Sequence, residues 1–233
     1  MSPLRAEGYG IILDADGYFW NRYNDRAPEP LPPDKGKEAF DRANDPAHLV
    51  FTGLGPAKDQ TLIVDETRRD QVFDLLGRTK RIPDEYPMVP CFGYKSSLSG
   101  DTTVLLATME DCPANCDRVF ILKLFRDAQG YAYAKHLHPS PGVNKNIATQ
   151  SGLRLGLTRD QVKAILGWPQ HEEEKFLQYG AMYDRVLTRD EVLARGRDAS
   201  VVGQPAGVYR SIVITFTKDR ASGILLYHRV SWD

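Results

Sequence analysis

Two histidines have a spacing that could bind a metal ion. His136 and His138 lie two residues apart in "AKHLHPS", and on a β-strand such residues point to the same face, where their imidazoles could hold one metal. A stable metal site needs further ligands, and none is apparent nearby in the sequence. We therefore expect no metal ion at this pair.

Three cysteines, Cys91, Cys112 and Cys116, lie in one stretch of the chain. Two strand-like segments, "TTVLLATMED" and "RVFILKLF", flank "CPANC". If these segments pair as a hairpin, Cys112 and Cys116 face each other across the turn, where a disulfide is geometrically possible. The alternative is a reduced thiol pair, because spacing alone does not fix the redox compartment.

Other signatures of catalysis are missing from the sequence. It has no G-x-S-x-G motif, no P-loop and no Rossmann glycine pattern, which removes the usual evidence for those enzyme classes. Cys91 and a histidine could act as the nucleophile and base of a hydrolase, but no local motif supports this. We predict a protein without catalytic residues and without a cofactor. The alternative is a metal-dependent or Cys/His-dependent enzyme.

Composition and charge exclude some classes of partner. The 233 residues carry 30 basic and 31 acidic side chains, a net charge of −1. No Lys/Arg cluster is interleaved with aromatic residues, so a nucleic-acid partner is not expected. No apolar run approaches the roughly 18 residues of a membrane-spanning helix. The opening "MSPLRAEGYG" lacks a signal-peptide pattern, which leaves a cytoplasmic protein, or a mature exported form given a starting Met, as alternatives.

One sequence motif occurs twice in the chain, as "TRRDQVFDLLGR" (67–78) and as "LTRDQVKAILGWP" (157–169). In the second copy Thr158 and Gln161 form a capping box, apolar residues follow at helical spacing, and Gly167 ends the helix. A helix of little more than two turns is unstable alone in water, so its apolar side must pack on other elements. "TRDEVLARG" from Thr188 predicts a further short helix.

Strand-like segments follow each copy of this motif. They are "CFGYKSS", "TTVLLAT", "RVFILKLF" and "GYAYAKHL" after the first, and "KFLQYGAMYDRV", "YRSIVITFT" and "GILLYHRVSW" after the second. This order predicts an α+β fold of two tandem units, residues 65–150 and 151–233, each a short helix on an antiparallel meander. Residues 1–64 are expected to form a hairpin, with its turn at Asp14 to Gly17, and a linker, both packed on the first unit.

The segment "GLRLGLTRDQVKAILGWP" (Gly152 to Pro169), with Arg69 to Gly77 as a weaker copy, resembles the opening of small periplasmic domains. These include the small outer-membrane assembly lipoproteins and the secreted β-lactamase inhibitor proteins, which are tandems of two such units. No binding residue transfers, because the matching positions are helix caps and core. The resemblance implies an exported, non-catalytic protein that binds another protein, and we expect an inhibitor or immunity protein. The alternative is a structural, lipoprotein-like envelope component.

The alternation of the strands predicts a tyrosine-bearing binding face. Phe176, Met182, Ile212, Ile214, Phe216, Ile224, Leu226, Val230 and Trp232 are assigned to the core side. The candidate partner-binding residues are Tyr179, Tyr183, Tyr209, Tyr227 and Arg229, with Tyr94, Tyr131 and Tyr133 in the first unit. Tyr and Arg are enriched at binding hot spots; the alternative is that tyrosine is simply a good strand former. If the face is covered, Asp101 and the "EDCPANCD" turn are the next candidates.

Overall fold

The computed structural model describes residues 11–13, 19–21, 41–42, 45–55, 60–83, 89–110, 117–169 and 171–232. These ranges contain the helices α1 (Arg69–Leu76), α2 (Arg159–Leu166) and α3 (Arg189–Ala194). They contain the strands β1 (Ile11–Leu13), β2 (Phe19–Asn21), β3 (Val50–Leu54), β4 (Gln60–Ile63), β5 (Cys91–Ser96), β6 (Val104–Met109), β7 (Val119–Phe125), β8 (His138–Ser140), β9 (Ala148–Thr149), β10 (His171–Glu172), β11 (Phe176–Val186), β12 (Pro205–Thr217) and β13 (Arg220–Ser231). Short 3-10 helices cover Pro46–Leu49, Ala134–His136 and Ala199–Val201.

The strands form largely antiparallel sheets, which confirms the predicted mixture of few helices with antiparallel strands. The largest sheet has eight strands in the order β10-β11-β12-β13-β7-β6-β5-β8. Its centre consists of two three-stranded meanders, β5-β6-β7 and β11-β12-β13. The first meander follows α1 in the chain and the second follows α2.

The last strands of the two meanders pair with each other. β13 runs antiparallel to β7 over five residue pairs, one of which joins Leu226 to Leu122. We call this pairing the seam. Both leucines are fully buried, and they belong to the same apolar core as Val72 of α1 and Val162 of α2. The seam therefore makes one sheet of the two meanders and brings both helices to one face of it, which we call the helix face.

The helices begin where the sequence predicts. The Thr158 Oγ accepts from the N–H of Gln161 at 3.3 Å, and the Gln161 side chain accepts from the Thr158 N–H at 2.9 Å, so the capping box of α2 is confirmed. Thr188 and Glu191 form the same arrangement at the start of α3. Helix α1 follows Arg68, whose N–H donates to the Gln71 side chain at 2.8 Å.

A smaller sheet, β4-β3-β9, completes the core on the helix face. Phe51 of β3 and Leu62 of β4 are fully buried in the core that contains α1 and α2. The N–H of Gln150 donates to the Val50 carbonyl at 2.8 Å, which fixes the connection between the two meanders against β3. Residues 45–55 and 60–64 thus pack on the core that both meanders share.

The predictions for the last strand of the first unit and for the N-terminal hairpin had different outcomes. The strand predicted for "GYAYAKHL" is wrong: these residues form turns and the 3-10 helix Ala134–His136, and only His138–Ser140 is extended. The predicted N-terminal hairpin is confirmed in its strands, because β1 and β2 pair antiparallel. Its turn, like Cys112 and Cys116 and therefore the candidate disulfide, lies outside the described residues.

The seam makes a first testable prediction. Leu122→Ala and Leu226→Ala should each lower the free energy of unfolding by about 2–5 kcal/mol, because each leaves a cavity in a closed core. Their effects should fall short of additive by about 0.5–3 kcal/mol, because the two side chains share one contact. Urea unfolding measures both quantities. Leu98→Ala is the control, since Leu98 is 51% exposed, and additive effects of the two core variants would contradict the packing.

Candidate functional site

A cleft of about 1090 Å³ opens at the end of the eight-stranded sheet that holds the turn between β12 and β13. The side chains on its floor alternate along the strands with those that pack against α1 and α2. They are Lys123, Phe125, Val213, Thr215, Gly223 and Leu225. This floor therefore lies on the opposite face of the sheet from the helix face, across the seam, and the cleft continues around the end of the sheet to Arg159 at the start of α2.

Gly223 is part of this floor. It lies between Thr215 of β12 and Phe125 of β7 in the sheet register. A Cβ at position 223 would lie 2.5 Å from the Thr215 Oγ1 and 3.7 Å from the Phe125 Cβ. The Thr215 side chain therefore occupies the space in which a Cβ at position 223 would lie, and any other residue there would crowd it.

The turn beside the floor is tight. Lys218 and Asp219 have positive φ values of 52° and 56°, the geometry of a two-residue type I′ hairpin turn. The Thr217 Oγ1 donates to the Ser222 Oγ at 3.1 Å, and that hydroxyl donates to the Thr215 carbonyl at 3.3 Å. These hydrogen bonds hold the two strands together at the rim, next to the register shift between Thr215 and Phe216.

The described lining is rich in charge and is predominantly basic. The basic residues are Lys123, Arg126, Arg159, Lys175, Lys218 and Arg220, and the acidic residues are Asp127, Glu174 and Asp219. The whole chain has a net charge of −1. The excess of positive charge is therefore local to the cleft.

Part of this charge is used within the protein. Arg159 lies 3.6 Å from the Asp219 carboxylate and 4.5 Å from the centre of the Phe216 ring. The Asp127 carboxylate accepts from the N–H of Gly130 at 2.9 Å. Two of the three acidic groups in the lining thus have partners of their own.

Four cations remain for a ligand. Among the described residues, no carboxylate lies within ion-pair distance of Arg126, Lys175, Lys218 or Arg220, and all four side chains are exposed. The Arg220 guanidinium donates to the Gly156 carbonyl at 3.3 Å. We call these four residues the rim cations.

Neither a family model, nor a curated protein, nor a solved structure matches this chain. The resemblance to the inhibitor and lipoprotein families stays a prediction. In the described part of the chain, no helix is both long enough and apolar enough to cross a membrane.

The predicted binding face is wrong for β11. Tyr179 pairs with Ile212, which turns it to the helix face, where it is 1% exposed and its hydroxyl donates to the Gly167 carbonyl at 3.3 Å. Phe176, assigned to the core side, packs instead with Tyr227. Large side chains occur on both faces of β11, so the pairing register of the strand decides which face turns to the helices. The side chains of Tyr183 and Met182 lie outside the described part.

For β12 and β13 the predicted alternation is right, but the tyrosine face is not open to solvent. Tyr227 is 2% exposed and packs edge-on against the Phe120 ring at 6.1 Å. Tyr209 and Arg229, paired across the two strands, are half-buried. The central strands carry apolar residues on both faces, as strands covered on both sides do, and the sequence shows this in "RVFILKLF".

The candidates of the first unit are largely buried as well. Tyr94 is 0% exposed on the helix face, and its burial raises the pKa of the hydroxyl. Tyr131 is buried against Phe125 at 5.3 Å, with the half-buried Tyr133 beside it. Tyr131 nevertheless lines the cleft. Asp101 accepts hydrogen bonds from the N–H groups of Thr103 and Lys145, so its carboxylate stabilises a turn.

The two histidines that could bind a metal do not share a strand face. His136 ends a 3-10 helix and His138 begins β8, with the His138 ring packed edge-on against Tyr94 at 6.1 Å. Within the described ranges, no group of three or more His, Cys, Asp or Glu side chains is arranged to hold a metal ion. Cys91 is fully buried in β5.

No pattern in the sequence predicted a buried ionic cluster around Asp65. Asp65, which has a positive φ of 71°, accepts two hydrogen bonds from the Arg195 guanidinium. The Nδ1 of His228 lies 3.1 Å from the same carboxylate. Arg118 donates to the Asp65 carbonyl at 2.9 Å and to the carbonyl of Ala194. The cluster ties the end of α3 and strand β13 to the turn before α1.

The pKa values in this cluster follow from burial and hydrogen bonding. Burial alone would raise the pKa of Asp65, but the nearby His228 and the hydrogen bonds from Arg195 outweigh it and lower that pKa to about 2. Burial lowers the pKa of His228, against the opposing effect of Asp65, so the imidazole is neutral at neutral pH. Burial, and then the nearby Asp65 carboxylate, raise the pKa of Glu110.

The signs of these shifts predict how stability changes with pH. A histidine whose pKa is lowered by folding contributes stability above about pH 6.5 that is lost as the pH falls, because the unfolded chain takes up the proton first. The Asp65 carboxylate acts at lower pH, losing its contribution below about pH 4. The raised pKa of Glu110 acts in the opposite sense, since its folded carboxyl binds a proton more readily.

A comparison with one variant isolates the contribution of His228 to the pH dependence of stability. His228→Asn keeps an N–H that can donate to Asp65 but cannot take up a proton. As the pH falls from neutral through about 6, urea unfolding should show a smaller loss of stability in this variant than in the wild type. Equal slopes in the two proteins would contradict the assignment, whatever their absolute stabilities.

Proposed function

We propose that this chain is a non-catalytic binding protein, of the inhibitor or immunity-protein kind, that binds a partner protein in the cleft across the seam. The observation that carries the proposal is the set of rim cations, Arg126, Lys175, Lys218 and Arg220. They are exposed around a concave site and have no carboxylate partner in the described part of the chain. Concave sites with an uncompensated local charge attract ligands of the opposite charge.

The composition of the cleft supports binding over catalysis. Hydroxyl groups are present in its lining, as at Thr215, Thr217 and Ser222, but no His or Cys occurs among the described lining residues. A serine or threonine hydroxyl is a weak nucleophile unless a neighbouring base takes its proton. The Ser222 hydroxyl is instead hydrogen-bonded to Thr217 and to the backbone of Thr215.

The chain topology supports the related proposal of two tandem units. Each meander follows a short helix of the sequence pattern Arg-Asp-Gln-Val, α1 or α2. The strand orders β5-β6-β7 and β11-β12-β13 meet at their last strands, as two copies related by an approximate twofold axis would. With the resemblance to the tandem inhibitor family, this arrangement favours an exported, periplasmic or secreted protein.

Charge reversal in the cleft tests the proposed function. The protein and the double variant Lys218→Glu/Arg220→Glu would be immobilised and exposed to extracts of the source organism, and a partner captured by the wild type would be purified. Its affinity for the double variant should be at least about tenfold lower, because charges that complement a partner set specificity and association rate. The wild-type affinity should also fall with added salt. Titration calorimetry measures both.

Lys80→Glu is the matched control, because Lys80 is exposed and lies outside the cleft lining. Its affinity for the partner should equal that of the wild type. A partner that binds the double variant as tightly as the wild type would remove the cleft from the proposal. Chemical conversion of the partner by the wild-type protein would contradict the proposal of a non-catalytic protein.

A further inference from the structure

Two of the rim cations, Arg126 and Arg220, reach the same residue of the chain. The Arg220 guanidinium donates to the Gly156 carbonyl at 3.3 Å. The Nη2 of Arg126 lies 3.6 Å from the position that a Cβ of Gly156 would take. The guanidinium groups at the end of β7 and at the start of β13 therefore both lie beside the turn that precedes α2. We call these two residues the arginine pair.

Backbone hydrogen bonds hold together the three segments that carry and flank the arginine pair. The Arg126 N–H donates to the Ser222 carbonyl at 3.2 Å, and the Gly156 N–H donates to the Ala221 carbonyl at 2.7 Å. The Ala221 N–H donates in turn to the Leu157 carbonyl at 2.8 Å. The backbone under both arginines is therefore fixed relative to the turn, and a site on fixed backbone loses less entropy when a ligand binds.

Most hydrogen-bond donors of the arginine pair are left for a ligand. A guanidinium carries five N–H donors, and the Arg220 group uses one of them on the Gly156 carbonyl. In the described part of the chain, no carboxylate lies within ion-pair distance of either arginine. Both side chains are exposed and line the cleft, so a ligand in the cleft can contact them.

Two neighbouring guanidinium groups bind an oxyanion with more geometric selectivity than two ammonium groups would. The planar fork of an arginine matches the two oxygens of a carboxylate, to which it donates two parallel hydrogen bonds. A lysine acts instead as a compact charge on a flexible stem. Lys175 and Lys218, the other rim cations, therefore attract an acidic ligand, whereas the arginine pair can also orient it.

The acidic residues next to the arginine pair favour a carboxylate over a row of phosphates. Asp127 follows Arg126 and Asp219 precedes Arg220 in the chain, and both acidic residues line the cleft. Their negative charges reduce the local excess of positive charge. The remaining excess suits a single carboxylate, while the successive phosphates of a nucleic acid would be repelled by the two aspartates. A protein supplies such carboxylates as Asp or Glu side chains.

We infer that the arginine pair, Arg126 and Arg220, is a binding site for one carboxylate, that of an Asp or Glu side chain in an acidic segment of the partner protein. This inference rests on the proposed function and names the chemical group that the cleft recognises. The two arginines are then specificity-determining residues, because they select for the geometry of a carboxylate. Lys175 and Lys218 respond to charge alone.

Substitution of the arginine pair by lysine separates geometry from charge. A fluorescent octaglutamate peptide would be titrated with the full chain at low salt, beside an octaglutamine peptide and a single-stranded oligonucleotide of the same net charge as octaglutamate. The double variant Arg126→Lys/Arg220→Lys keeps both charges. Its affinity for octaglutamate should nevertheless be at least about fivefold lower than that of the wild type, because the paired hydrogen bonds are lost. Octaglutamine should not bind.

Arg154→Lys/Arg189→Lys is the matched control, because both arginines are exposed and lie outside the cleft lining. Its affinity for octaglutamate should equal that of the wild type, and circular dichroism confirms that each variant is folded. The arginine Nε–H signals in the NMR spectrum locate the bound peptide directly. Octaglutamate should shift the signals of Arg126 and Arg220, which are assigned by their loss in the single lysine variants, and should leave those of Arg154 and Arg189 in place.

Several results would overturn the inference. These are no binding of octaglutamate by the wild type, equal affinity of the wild type and the folded double variant Arg126→Lys/Arg220→Lys, unchanged Nε–H signals of the arginine pair, or tighter binding of the oligonucleotide than of octaglutamate. If a natural partner is lost on the charge reversal Lys218→Glu/Arg220→Glu but binds the lysine double variant normally, the inference fails and the proposed function stands. If the partner ignores the charge reversal as well, both fail.

Discussion

The pairing of β7 with β13 is the interaction on which the rest of this structure depends. Each meander alone is a three-stranded sheet with an open edge, and the five residue pairs of the seam close both edges against each other. Because last strand meets last strand, α1 and α2 come to the same face and share one core. The opposite face then presents residues of both meanders side by side, so the floor of the cleft, from Phe125 to Gly223, exists only because the seam does.

Local signals made the helices and most strands predictable from the sequence. The capping boxes at Thr158 and Thr188 are short-range patterns, and the structure reproduces both. The face of β11 was not predictable in the same way. Large side chains occur on both of its faces. Its register with β12, which is a long-range property, turns Tyr179 to the helix face. The buried state of Tyr227 likewise depends on groups distant in sequence, such as Phe120.

The candidate site could not be predicted from the sequence, because its residues form no recognisable motif there. Gly223 stands in "KDRASG", which reads as a turn, whereas the chain turns already at Lys218 and Asp219 and the glycine lies within a strand. The basic residues of the cleft are scattered over the chain and form no run. The ionic cluster was hidden for the same reason, since 130 residues separate Asp65 from Arg195. Charges that meet only in the fold leave no local motif.

The seam also determines how this chain must fold. Each meander can form from neighbouring segments, but the two strands that join them lie about 100 residues apart, as Phe125 and Gly223 do. Closing so long a loop costs entropy before the contacts form, which slows the formation of the seam. Until that step β7 and β13 are unprotected edges, the kind of surface that recruits other chains into aggregates. The hydrogen bonds from Arg195 to Asp65, which also require the assembled chain, stabilise the product only after this exposed stage has passed.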